Sequence, residues 1–195
     1  MKLNNKRTIL VGLAFLSICA FWQMYDSVVP LILTKTFHMN ETFSGAIMAA
    51  DNILALFLLP FFGSLSDRSH SKIGKRMPFI LFGTGCAVIL MNILPLLDNS
   101  YAAQPSGLKT ASFVIVLGLL LVTMGTYRSP AVALMPDVTP KPLRSRANAI
   151  INLMGALGGI IYLIITTFLY KTTADVYVSY LPLFAIVGGI MLAAL

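Results

Sequence analysis

Six stretches of about 20 residues, almost free of charge, divide this chain of 195 residues, and their repeated length is what most limits the fold. A helix rises about 1.5 Å per residue, so about 20 apolar residues cover the roughly 30 Å of hydrocarbon in a bilayer. The runs fall at 8–33, 43–65, 77–97, 111–135, 147–169 and 177–195. With 57% hydrophobic residues and 11% charged, a soluble globule of this size would lack the interior to hide its apolar surface. The expectation is an all-α integral membrane bundle of six transmembrane helices, forming one unit over 1–195.

The net charge of +7 does not point to nucleic acid, because the bases lie in the connections between the apolar runs. One set of connections holds Lys2, Lys6, Arg7, Arg68, Lys72, Lys75, Arg76, Lys141, Arg144 and Arg146; the other holds Lys35, Lys109 and Lys171. Cytoplasmic loops retain Lys and Arg, so ten against three predicts a cytoplasmic N-terminus in a multi-pass protein of the plasma membrane. The opening segment does not read as a cleaved leader, since the apolar run behind it is long and carries Trp22, Tyr25 and Asp26 instead of a small-residue cleavage site. Cys19 and Cys86 fall inside apolar runs and read as packing residues. The sequence shows no metal-spaced His or Cys cluster, no phosphate-cradling glycine loop and no nucleophile with paired carboxylates. It reads as a non-enzyme without a cofactor.

The connection at 63–80 carries the densest positive charge, and Asp67 opens it. An acid at the C-terminal end of the second helix opposes the helix dipole and therefore needs a positive partner, for which Arg68, Arg144, Arg146 or the N-terminus of a helix from another half or subunit are candidates. An acid held in this way on one membrane face, and released when the faces part, would act as a gate latch.

Gly63, Ser66-Asp67-Arg68, Gly74-Lys75-Arg76 and Pro78-Phe79-Ile80 together resemble the loop between helices two and three of the major facilitator superfamily. The spacing of these blocks is most similar to the glycoside-pentoside-hexuronide symporters and their sucrose-transporter relatives. A second block at 129–150, with Ala133-Leu134, Asp137 and Ala147-Asn148-Ala149, resembles the same group's link between helices four and five. The resemblance implies a 3+3 inverted repeat, with substrate held between this N-terminal half and a second six-helix half in the same or another chain. It further implies proton-coupled symport of a sugar or glycoside by alternating access. A proton is favoured over sodium because the positions of the melibiose-type cation carboxylates are Ala55 and Leu59 here. The fourth-helix arginine of sucrose transporters aligns with Val132, one turn from Arg128. Export of a drug or other small solute is the alternative within the superfamily, and a non-transporting membrane sensor or assembly partner the alternative outside it.

Ionisable residues inside the membrane cost about 2.5 to 3.5 kcal/mol on insertion scales, so each marks a candidate site. The sequence places three there: Asp26, Asp51 and Arg128. Trp22 and Asp26 are one helical turn apart with Tyr25 beside them, which offers a sugar two aromatic plates for its C–H faces and a carboxylate for its hydroxyls. Asp26 is then the substrate and proton carboxylate, Asp51 a second ion-coupling candidate and Arg128 the charge partner. Asn148 and Asn152 on the fifth helix could reach a hydroxylated ligand. Measured along their helices, Asp26 stands about 27 Å and Arg128 about 13 Å from the cytoplasmic end, too far apart for direct contact. Yet Tyr25-Asp26-Ser27 is echoed by Tyr127-Arg128-Ser129, as equivalent helices of an inverted repeat would allow. Gly63, Asp67, Arg68, Lys75, Arg76, Asp137 and Arg144 form the expected cytoplasmic gate, and Gly155, Gly158 and Gly159 a strip for close helix packing.

Overall fold

The computed structural model describes residues 5–170 and 178–195. Lys2, Lys171 and the first residue of the expected sixth run, Tyr177, lie outside them. The described residues form α1 (Asn5–Leu31), α2 (Glu41–Arg68), α3 (Met77–Ala103), α4 (Gly107–Val138), α5 (Arg144–Leu169) and α6 (Leu181–Ala193). The first five are long and apolar enough to cross a membrane, and α6 is an apolar helix of 13 residues, about 20 Å long. The chain is an all-helical membrane bundle.

Local chemistry sets several of the ends. Past Leu31, α1 widens into a π turn at Ile32–Thr36, where the Phe37 amide donates to the Ile32 carbonyl at 3.1 Å. The turn stops at His38, whose φ of 51° lies in the left-handed region that ends many helices. Asn40 caps α2 by accepting the Thr42 amide at 3.1 Å, with Glu41 in the first turn where the dipole favours an acid. Pro78 sits at the start of α3, where no amide is needed.

The packing pairs repeat themselves. α1 packs along α5 as α4 packs along α2; α3 packs along α4 as α6 packs on α1; α1 meets α4 and α3 meets α6. Exchanging helices one to three with four to six maps this set onto itself, which is the signature of a 3+3 inverted repeat. Small residues create the close seams. A Cβ on Gly158 would overlap the Leu16 carbonyl oxygen of α1, and one on Gly83 would come within 2.9 Å of the Tyr127 amide nitrogen of α4. These glycines therefore let backbone touch backbone where lipid offers no hydrophobic drive for association.

The core lies where α1, α3, α4 and α6 converge, around Phe21, Tyr25, Met91, Leu94, Phe113, Tyr127 and Phe184. α2 and α5 flank it and expose Phe57, Phe61, Leu153 and Leu163. Asp98 belongs to this interior. The apolar run at 77–97 breaks off just before it, so the sequence places it in a connection. Instead α3 continues to Ala103 and Asp98 is 0% exposed.

Candidate functional site

Two polar clusters interrupt the apolar bundle. The first lies at the end where α2 and α4 stop and α3 begins. Arg76 is only 6% exposed and its guanidinium forks between two helices: Nε donates to Asp137 Oδ2 at 2.5 Å, Nη2 to Asp67 Oδ1 at 2.8 Å and Nη1 to Ser66 Oγ at 3.2 Å. Lys75 Nζ adds looser contacts at 3.6 Å to Asp67 and 3.9 Å to Asp137. Planar donors suit this task because one side chain can satisfy several acceptors at fixed angles.

The cation that answers Asp67 is thus Arg76, supported by Lys75, and none of the candidates Arg68, Arg144 and Arg146 pairs with it. Arg144 closes α4 instead, with Nη2 donating to the Pro136 carbonyl at 2.9 Å and Nε to the Thr139 carbonyl at 3.3 Å. Gly63 stands at the α2–α4 crossing, where an added Cβ would lie 3.1 Å from Ser129 Oγ. That same hydroxyl donates to the Leu59 carbonyl at 2.6 Å. Of the gate residues expected from sequence, Asp67, Lys75, Arg76 and Asp137 meet directly, while Gly63, Arg68 and Arg144 surround them.

The second cluster is inside the membrane, between α1, α2 and α4. Arg128 Cζ lies over the Trp22 ring, 5.3 Å from its centroid, within reach of a cation–π attraction. Trp22, Asp51, Leu54, Ala55, Leu58, Leu59, Leu121, Gly125 and Arg128 enclose a cavity of about 20 Å³. Two buried polar atoms of its lining residues, Trp22 Nε1 and Asp51 Oδ1, have no hydrogen-bond partner, nor has Tyr25 Oη, whose ring packs against Trp22. The ion pairs of the Arg76 cluster involve none of the three charges placed inside the membrane. Asp26, Asp51 and Arg128 are ionisable groups in the apolar zone, and no ion pair joins them to one another.

Packing explains how Arg128 reaches the indole. The Tyr127 hydroxyl lies 2.6 Å from Ser17 Oγ and donates to the Ala14 carbonyl at 3.1 Å, which fixes α4 beside the lower part of α1. From the next position, the long Arg128 side chain extends along α1 toward Trp22. Asp26 stands one further turn up, exposed, and no ion pair joins it to Arg128.

Helical phase divides the expected sugar plate. Positions 21 and 25 turn inward, so Tyr25 is 1% exposed and stacks on Phe21 at 6.1 Å. Positions 22 and 26 turn outward. Trp22 is half-buried and held edge-on by Phe21 and Tyr25, at 5.4 and 5.3 Å. Asn148 and Asn152 are exposed on α5 but lie well below Trp22. Gly159 is the α5 residue that faces Gln23 of α1, and Asn152 is two turns beneath it, about 10 Å. The tyrosines of the echoed triplets are equally buried, at 1% each.

The chain matches the family described as Major Facilitator Superfamily over residues 11–195. It is 34% identical over 139 residues to the sucrose transport protein SUC3 of Arabidopsis thaliana, covering 65% of this chain and 23% of that protein. It is 33% identical over 141 residues to the sucrose transport protein SUT3 of Oryza sativa subsp. japonica, covering 65% and 28%. It is 27% identical over 145 residues to the alpha-ketoglutarate permease of Escherichia coli (strain K12), covering 73% and 31%. The chain thus spans about a quarter to a third of the length of these relatives. No solved structure gives a significant match.

Proposed function

From the premise that the chain belongs to the Major Facilitator Superfamily, we propose that it is the N-terminal six-helix half of a secondary transporter that carries a sugar or glycoside by proton-coupled symport. The observation that carries this reading is the cluster of Trp22, Asp26, Asp51 and Arg128 within apolar helices. A fold-only role gives no reason to keep an indole, two acids and an unpaired guanidinium in hydrocarbon, whereas a path for a polar solute does. The sucrose transport proteins among its relatives make a hydroxylated ring the first solute to test.

Trp22 offers its face to the ring's C–H groups, and the Asp26 carboxylate accepts from vicinal hydroxyls. Proton coupling is favoured over sodium because the cavity beside Asp51 is walled by Ala55, Leu58 and Leu59. Sodium would need several oxygen ligands, whereas a proton needs one carboxylate. The solute sits between this half and a second one, and the two rock with the N-terminus in the cytoplasm of a plasma-membrane protein. Asp67, Lys75, Arg76 and Asp137 latch the cytoplasmic end, with Gly63, Arg68 and Arg144 around them.

A second reading is an organic anion. Arg128 has no carboxylate partner, and one relative is an alpha-ketoglutarate permease. Uptake into proteoliposomes decides between the two, with pH and sodium varied independently. Sucrose or maltose accumulation driven by a proton gradient supports the first reading, dicarboxylate accumulation supports the second, and no solute movement in the presence of a second half sinks both.

A further inference from the structure

Arg128 occupies the surface that the proposed solute needs. Phe21 and Tyr25 hold Trp22 edgewise, and over the indole lies the Arg128 guanidinium. The enclosed space beside them, about 20 Å³, holds about one water. A pocket for a small organic ligand is at least about 300 Å³. A sugar ring and the guanidinium cannot share that face, so stacking requires the arginine to leave.

Its destination is also in the cavity wall. Asp51 is the acid that lines the same cavity, and its Oδ1 is buried without a hydrogen-bond partner. Asp26 stands one turn above Trp22, exposed, and is not part of that lining. Among the described residues, the bases other than Arg128 lie at the helix ends or in the loops, so none of these competes for Asp51. Leu54, Ala55, Leu58 and Leu59 fill the rest of the α2 wall with hydrocarbon, which makes a charge pair formed there strong and an unpaired charge costly.

We infer that Arg128 is the resting occupant of the solute's stacking surface, and that a bound solute displaces its guanidinium from the Trp22 ring onto the Asp51 carboxylate. The inference rests on the reading that Trp22 contacts the solute. It deepens that reading by assigning Asp51 a role as receiver of a displaced cation. It also defines the ligand class: a neutral hydroxylated ring replaces the guanidinium on the indole without competing for Asp51, whereas a cationic solute meets the displaced charge.

Trp22 is the chain's single tryptophan, so its fluorescence reports on the contact directly. The experiment uses the protein paired with a tryptophan-free second half in lipid nanodiscs, titrated with sucrose and with maltose, as wild type, Asp51→Asn, Arg128→Gln and the double variant. Arg128→Met supplies the same arm if Arg128→Gln does not assemble. Without sugar, Arg128→Gln is expected to change the Trp22 emission. With sugar, the wild-type emission is expected to move toward that of Arg128→Gln. Asp51→Asn should weaken sugar binding about ten-fold when Arg128 is present and leave it nearly unchanged when Arg128 is absent. Sugar binding that leaves Trp22 emission unaltered, or an equal cost of Asp51→Asn in both backgrounds, overturns the displacement while leaving sugar transport standing. If neither sugar binds or moves with a second half present, the transport reading fails and the inference with it.

Discussion

The Tyr127 hydroxyl of α4 and the Ser17 hydroxyl of α1 lie 2.6 Å apart in the dry centre of the bundle. These helices are the equivalent members of the two repeats, so the contact ties one repeat to the other at the axis that relates them. It also sets the rotation of α4, and with it the direction of Arg128.

Tyr127→Phe removes one of two donors to the Ala14 carbonyl, the other being Ser17 Oγ at 2.9 Å, and leaves Ser17 without its inter-helix partner. The expected cost is about 1 kcal/mol, the scale of a hydrogen bond between helices in a membrane. Ser17→Ala should cost less, because the phenol keeps the Ala14 carbonyl. Unfolding midpoints in a mild detergent give the order, and a larger loss for Ser17→Ala contradicts the geometry.

Arg76→Ala is expected to cost about 1 to 2 kcal/mol, less than a fully buried pair would, because the carboxylates it joins are partly solvated. Arg76→Lys should recover little of it, since an ammonium cannot present the fork that reaches Asp67, Asp137 and Ser66 together. Recovery of thermal stability by lysine would show that charge alone matters there.

Gly158→Ala forces a methyl onto the Leu16 carbonyl oxygen, between two backbones that have no flexible atom to yield. A loss of about 1 to 3 kcal/mol is expected. Gly85→Ala, where an added Cβ meets nothing within 4 Å, should remain within about 0.5 kcal/mol of wild type. Comparable losses for the two substitutions, read as detergent stability, would remove the case for a glycine seam.

Asp26→Asn tests the proposed coupling carboxylate. Proton-driven accumulation of the solute is expected to disappear, while exchange of labelled solute across a membrane without a gradient persists. Asp26→Glu should retain part of the accumulation. Normal accumulation by Asp26→Asn assigns the proton elsewhere, with Asp51 the first place to look.

The bundle was legible in the sequence because the bilayer imposes a length on every crossing, and runs of about 20 apolar residues answer to little else. Helical spacing brought Trp22 and Asp26 to one face, but it could not tell which of the adjacent positions 22 and 25 the core would claim. Packing against Phe21 took Tyr25 inward. Asp98 escaped notice because hydropathy measures where the apolar run stops, whereas α3 goes on for six residues more and carries the acid into the interior. The Arg76–Asp137 contact joins residues 61 apart in the chain, beyond the reach of any local pattern. The cation–π contact was hidden differently: backbone levels alone set Arg128 too low for the Asp26 turn, and only the length of its side chain brings it to Trp22.

At Gly158 the chain leaves no lubricating layer of side chains between α1 and α5. Two rods clamped in this way travel as one plank, so in the proposed transport cycle the indole and acid on the first and the asparagines on the second would keep their spacing. In that cycle the route would open from the α2–α4 side or from a second half. A crosslink between α1 and α5 at this seam should be harmless to turnover, whereas one between α1 and α2 should stall it.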